Sequence, residues 1–193
     1  MDSKKPTIQN ILEQNTANMI FYEDSFTKTS FFTREISKWQ VPIFYFDFDL
    51  QYTGFVRSGM TPEMKNLTLL SPENGSLRET LKAVIEKVST ERSLIIIDSL
   101  NGFFNILEAN KDLARLINSF LMLLVSAARN TKSTVMVGIL SKLNEDKKWV
   151  LYNTGRSVIE NKDFTKVYLT REGNNTLATL LNSDNSNNST LIL

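Results

Sequence analysis

Apolar positions along this chain change period several times, and each change marks an element. Ile8, Ile11 and Leu12 sit at helical spacing within a polar lead, predicting a short helical turn inside residues 1–17. Met19-Ile20-Phe21-Tyr22 is a compact apolar run. From Lys28 to Trp39 the residues Phe31, Phe32, Ile36 and Trp39 recur at helical intervals, until Pro42 breaks the pattern. Val41 to Phe48 is rich in β-branched and aromatic side chains, as a buried strand should be. Asp49 to Asn66, with Gly54, Gly59 and Pro62, reads as a loop; Leu67–Leu70 reads as a short strand, and Ser71-Pro72-Glu73-Asn74-Gly75 as a turn. Leu77, Leu81, Val84, Ile85 and Val88 form the apolar face of a helix capped by Ser76 or its neighbours. Leu94-Ile95-Ile96-Ile97-Asp98 is the strongest strand signal, and its lack of alternation predicts cover on both faces, hence a parallel central sheet.

The second half predicts a long helix over residues 112–130, then a nearly wholly apolar strand, Thr134–Leu140. Residues 141–154 are polar apart from a few apolar positions that include Trp149 and Tyr152, and read as a loop. Three short strands follow, Ser157–Ile159, Lys166–Thr170 and Thr176–Leu181, with Gly173-Asn174-Asn175 as a hairpin turn between the last two. Residues 182–193 begin with a low-complexity Asn/Ser run and are expected as a disordered polar tail. Strands alternating with helices through residue 140 give an α/β fold of three layers. Its mostly parallel central sheet carries helices on both faces and a C-terminal antiparallel hairpin extension. Met19–Tyr22, Ile43–Asp47, Leu94–Asp98 and Thr134–Leu140 are expected as neighbours in that sheet, and residues 1–181 as one domain. Function in such sheets gathers at the carboxyl ends of the strands, here near Tyr22, Asp47, Asp98 and Leu140.

Composition narrows the chemistry. The 193 residues contain no cysteine and no histidine. That excludes thiolate nucleophiles, Ser-His-Asp triads and imidazole or thiolate metal ligands, leaving Asp, Glu, Lys, Arg, Ser, Thr and Tyr. A net charge of +1 gives no global attraction to nucleic acid or anionic membrane. The polar N-terminus lacks a signal-peptide core, and the stretch Phe120–Val125 is far short of the roughly 20 residues that span a bilayer. The expectation is a cytoplasmic protein without a membrane contact.

Tyr22-Glu23-Asp24-Ser25-Phe26-Thr27-Lys28-Thr29 has the length, the flanks and the terminal Lys-Thr of a phosphate-binding G-x-x-x-x-G-K-[ST] loop, with Tyr22 and Thr27 where the glycines belong. Leu94-Ile95-Ile96-Ile97-Asp98-Ser99-Leu100 looks like the Walker B strand of RecA, archaeal RadA and KaiC proteins, whose aspartate orients magnesium. Phe44-Tyr45-Phe46-Asp47-Phe48-Asp49 resembles the second core strand of that group. It places Asp49 where the group commonly has a glutamate that activates water. Leu140-Ser141-Lys142 ends the strand where RecA-like proteins carry a polar γ-phosphate sensor. The resemblance is to the RecA-like P-loop NTPases and spans residues 17–181. It implies a nucleotide site made of Lys28, Thr29 and Asp98, with Asp49 and Asp98 as catalytic acids and ATP with magnesium as cofactors where the site is active. The bland alternatives are that Asp98 caps the following helix, that Lys28 and Thr29 are surface residues, and that Asp47 and Asp49 lie solvated on one face.

The loop glycines normally reach positive φ and bring backbone N–H groups against phosphate; Tyr22 and Thr27 are poor at both. Glu23 and Asp24 add like charge, about 4 kcal/mol for one pair at 4 Å and an effective dielectric near 20. Lys28 is therefore expected to pair with Glu23, Asp24 or Asp98, leaving no room for a triphosphate. The chain then resembles RadA paralogues and the RecA-like subcomplex of Elongator that lack a working loop. That likeness implies a non-catalytic assembly or regulatory subunit, without a cofactor, in a homo- or hetero-oligomer of RecA-like subunits. The alternative is a divergent active ATPase. Lys142, Lys147, Lys148 and Arg156 interleave with Trp149 and Tyr152, a pattern suited to single-stranded nucleic acid. Glu145 and Asp146 dilute it, and the competing reading is a solvated loop with Trp149 against its own domain.

Overall fold

The computed structural model describes residues 7–71, 75–106, 113–143, 149–151, 164–173, 175–182 and 187–193. The elements run α1 (Ile8–Gln14), β1 (Ala17–Tyr22), α2 (Ser25–Ile36), β2 (Ile43–Phe46), α3 (Gln51–Arg57), β3 (Leu67–Leu70), α4 (Leu77–Val88) and β4 (Leu94–Ile97). They continue with α5 (Leu100–Ile106), α6 (Leu113–Thr131), β5 (Thr134–Leu143), β6 (Trp149–Leu151), β7 (Thr165–Glu172), β8 (Asn175–Leu181) and β9 (Asn187–Ile192). The sheet order is β3-β2-β4-β5-β1-β7-β8-β9, with β6 paired to β5 off that path. The pairs β3·β2, β2·β4, β4·β5, β5·β1 and β1·β7 are parallel; β7·β8, β8·β9 and β5·β6 are antiparallel. The four strands expected as neighbours thus form the run β2-β4-β5-β1.

Although β4 is apolar throughout, its residues serve two cores by strict alternation. Ile95 and Ile97 join Phe44, Phe46, Met19, Phe21, Val135 and Val137 beneath α4, α5 and α6. Leu94 and Ile96 join Ile43, Tyr45, Ile20, Tyr22 and Met136 beneath α1, α2 and residues of α3. Two cores mean two covered faces, and hence three layers.

Several boundaries differ from the sequence pattern. The stretch from Asp49 to Asn66, expected as a loop, contains α3; one buried residue, Tyr52, anchors a helix too short to show a period. Ser99 accepts from the Gly102 N–H at 3.0 Å and so starts α5, a helix that no periodic pattern announces. β5 runs past Leu140 to Leu143 and pairs with β6, so residues 141–154 are in part a hairpin. From Asn187 the expected disordered tail is instead an added strand, Leu191 facing Ala178 and Thr190 facing Thr179. The predicted strand Ser157–Ile159 lies outside the described residues. Gly173, at φ +59, occupies the tight turn between β7 and β8.

Candidate functional site

The carboxyl ends of β1, β2 and β4 converge on one buried cation. Lys28, on the first full turn of α2, is 0% exposed, and its Nζ lies 3.1 Å from Asp98 Oδ2 and 3.1 Å from Asp49 Oδ2. Asp98, also 0% exposed, follows β4 and accepts a hydrogen bond from the Phe48 N–H through Oδ1 at 2.9 Å. Both oxygens of Asp98 are therefore occupied within the protein. Burial pushes the Asp98 carboxyl up to about 7, the Lys28 charge only partly opposing it. For Lys28, burial pulls the pKa down, but Asp98, Tyr22 and Asp49 more than restore it, so the net direction is up. The Tyr22 ring lies below the ammonium, its centroid 5.5 Å from Nζ, and burial raises its phenol to about 12 while Ser99 hydrogen-bonds it.

How the chain enters α2 decides what this site can hold. β1 ends at Tyr22 and α2 begins at Ser25, so Lys28 stands three residues inside the helix with Glu23 and Asp24 alone between strand and helix. Asp24 is the N-cap, accepting from the Thr27 N–H at 2.8 Å, an arrangement that satisfies one of the helix's free donors with its own carboxylate. Glu23 accepts from the Tyr168 hydroxyl at 2.8 Å. The partners of Lys28 are thus Asp98 and Asp49, and neither Glu23 nor Asp24. Thr29, buried like Lys28, donates to the Ser25 carbonyl at 2.9 Å and lies 2.8 Å from the Gln51 side chain.

Asp47 and Asp49 do not share a face. β2 ends at Phe46, so strand alternation stops before them. Asp47 turns into α3 and accepts from the Thr53 N–H (2.7 Å), the Thr53 hydroxyl (2.6 Å) and the Tyr52 N–H (3.3 Å). Asp49 turns to Lys28, with Leu50 in the left-handed region (φ 57) reversing the chain after it. Asp98 is not the cap of α5, since Ser99 fills that position.

Two glycines make the convergence possible, and no motif points to them. A Cβ on Gly138 of β5 would collide with the Asp98 backbone carbonyl, and one on Gly102 of α5 would meet Asp49 Oδ1 at 2.7 Å. Among the described residues, no group of three or more potential ligands is placed to hold a metal ion. Of the second candidate surface, Lys142 is exposed at the end of β5 and Trp149 opens β6. Lys147, Lys148, Tyr152 and Arg156 lie outside the described residues.

No family model matches the chain, and no curated protein matches it. Among solved structures, it is similar to the RadB recombinase with a TM-score of 0.59 at 14% identity, covering 91% of this chain and 86% of that one. No described helix is long and apolar enough to cross a membrane. The parallel run β2-β4-β5-β1 between two helical layers, extended by antiparallel strands, is a RecA-like fold.

Proposed function

We propose that this chain is a non-catalytic RecA-like module with a vestigial nucleotide site, working as an assembly or regulatory subunit. The observation that carries the reading is the fully buried Lys28 held at 3.1 Å by both Asp98 and Asp49. In a working site of this fold the lysine faces phosphate and the aspartate faces magnesium. Here the ammonium itself neutralises the carboxylates. The residues do not fit magnesium with a triphosphate: both Asp98 oxygens are committed, and the N-terminus of α2 is already capped by Asp24. A phosphate cradle needs several free backbone N–H groups on an arched loop. A chain that is helical from Ser25 offers no arch, and Glu23 and Asp24 repel the anion. No hydrolytic step is derived for this site.

The test is a calorimetric titration with ATP and magnesium. No binding at micromolar nucleotide is expected, and micromolar affinity in the unaltered protein would remove the proposal in favour of a divergent ATPase. The assembly role draws on α6, whose outer face carries Leu116, Met122 and Leu123 in solvent. The proposed contact with single-stranded nucleic acid draws on Lys142 and on the sequence of residues 147–156. Its check is a gel shift over a salt series, where binding must weaken as salt rises.

A further inference from the structure

On the other flank of α2, away from Lys28, lies a cavity of about 230 Å³ between that helix and the β7–β8 hairpin. Thr27, Ser30, Phe31 and Arg34 line it from α2, Arg171 and Thr176 from the hairpin. None of the lining side chains is acidic, and neither arginine has an ion-pair partner among the described residues. Arg171 is held in place at two points. Its Nε donates to the Gly173 carbonyl at 3.0 Å, and its guanidinium lies 5.2 Å from the centroid of the Phe26 ring. The terminal Nη groups of that fork are left for a ligand. Thr27, only 1% exposed, closes the floor of the cavity, and among the described residues its hydroxyl oxygen has no hydrogen-bond partner.

We propose that this cavity binds a small phosphomonoester, its phosphate held between Arg34 and Arg171 and hydrogen-bonded by the hydroxyls of Ser30 and Thr176. Guanidinium forks match the geometry of phosphate oxygens, and a pre-oriented fork loses less freedom on binding. Size sets the class. About 230 Å³ is several times the roughly 30 Å³ share of one water, and below the roughly 300 Å³ at which drug-sized pockets begin. The volume suits a phosphate and a short organic group, the latter against the Phe31 ring and the Leu193 side chain. The site is independent of the vestigial lysine and needs no cradle of backbone N–H groups.

The experiment titrates the full chain with inorganic phosphate, glycerol 3-phosphate and ribose 5-phosphate, with glycerol and ribose as neutral controls, read by calorimetry. The two esters are expected to bind, inorganic phosphate to bind more weakly and compete, and the neutral controls not to bind. Arg171→Ala and Arg34→Ala should each weaken ester binding about tenfold, the loss of one charge-assisted contact. Both positions are exposed, so an unchanged unfolding midpoint verifies that each variant is folded. Absence of saturable ester binding overturns the proposal. So does ester binding that both variants leave intact, or inorganic phosphate binding as tightly as the esters, which marks a bare-ion site. An MgATP complex that the esters fail to displace would instead count against the vestigial reading of the Lys28 site, leaving this one standing.

Discussion

Asp98 carries the residue-scale argument, because two opposite influences meet on one carboxyl. Burial disfavours its charge, Lys28 and the Phe48 N–H favour it, and burial wins, leaving the folded pKa at about 7 against an ordinary value of 3.8. A folded pKa above the unfolded one means that the native state binds the extra proton between those values. Stability contributed by this group is therefore greatest at low pH and falls as pH rises from about 4 to about 7, by at most ~1.4 kcal/mol per unit for one proton. Other carboxylates titrate over the same range, so the informative quantity is a difference. Denaturant unfolding of the wild type and of Asp98→Asn, followed from pH 4 to 7, should show the wild type losing stability relative to the variant. Parallel pH profiles would mean that Lys28 holds Asp98 ionised throughout. Asp49, with its side chain 28% exposed, is expected to tolerate Asn far better than Asp98 does, because water replaces the lost partner.

Among the elements, those with long or unalternated apolar patterns are legible in the sequence alone. The strand Leu94–Asp98, the strand Thr134–Leu140 and the helix over residues 112–130 follow from their patterns and stand in their predicted order. Short elements stabilised by one or two side chains are not legible, as α3 rests on Tyr52 and on the Asp47 carboxylate that accepts from the Thr53 N–H, and neither has a periodic signature. The start of α2 lies three residues before the point where the apolar pattern begins, because Ser25-Phe26-Thr27 adds only one apolar position to it. That shift matters for the site, since it converts an expected loop into a capped helix. The candidate acids Asp49 and Asp98 are legible as strand-end residues, yet Gly102 and Gly138, which let them approach Lys28, carry no signal. Gly138→Ala tests how closely β5 must pass the end of β4. The added methyl meets a backbone carbonyl, which cannot rotate away, so a loss of about 1–3 kcal/mol or more in denaturant unfolding is expected. Gly54→Ala, on the open face of α3 with nothing within 4 Å, is the matched control and should be neutral or slightly stabilising.

At the scale of the whole molecule, the question is which surface the proposed non-catalytic module presents to a partner. α6 turns one face to the core, through Ile117, Phe120, Leu124 and Ala128. On the other face Leu116, Met122 and Leu123 stand 46%, 48% and 60% exposed, with Ser119 and Ser126 between and beyond them and no charged side chain from Leu116 until Arg129. A single exposed leucine needs no explanation, but an apolar stripe spanning two turns with an uncharged centre has the composition of a contact surface. The proposed assembly role therefore predicts self-association through α6. Leu116→Glu combined with Leu123→Glu should lower the weight-average mass in sedimentation equilibrium to that of a 22.0 kDa monomer. Because both side chains point away from the core, the unfolding midpoint should stay within about 0.5 kcal/mol of the parent. A wild type that is already monomeric at the concentrations tested would contradict self-association. A double variant that still assembles would place the contact elsewhere, with the exposed edge strand β9 the next surface to change.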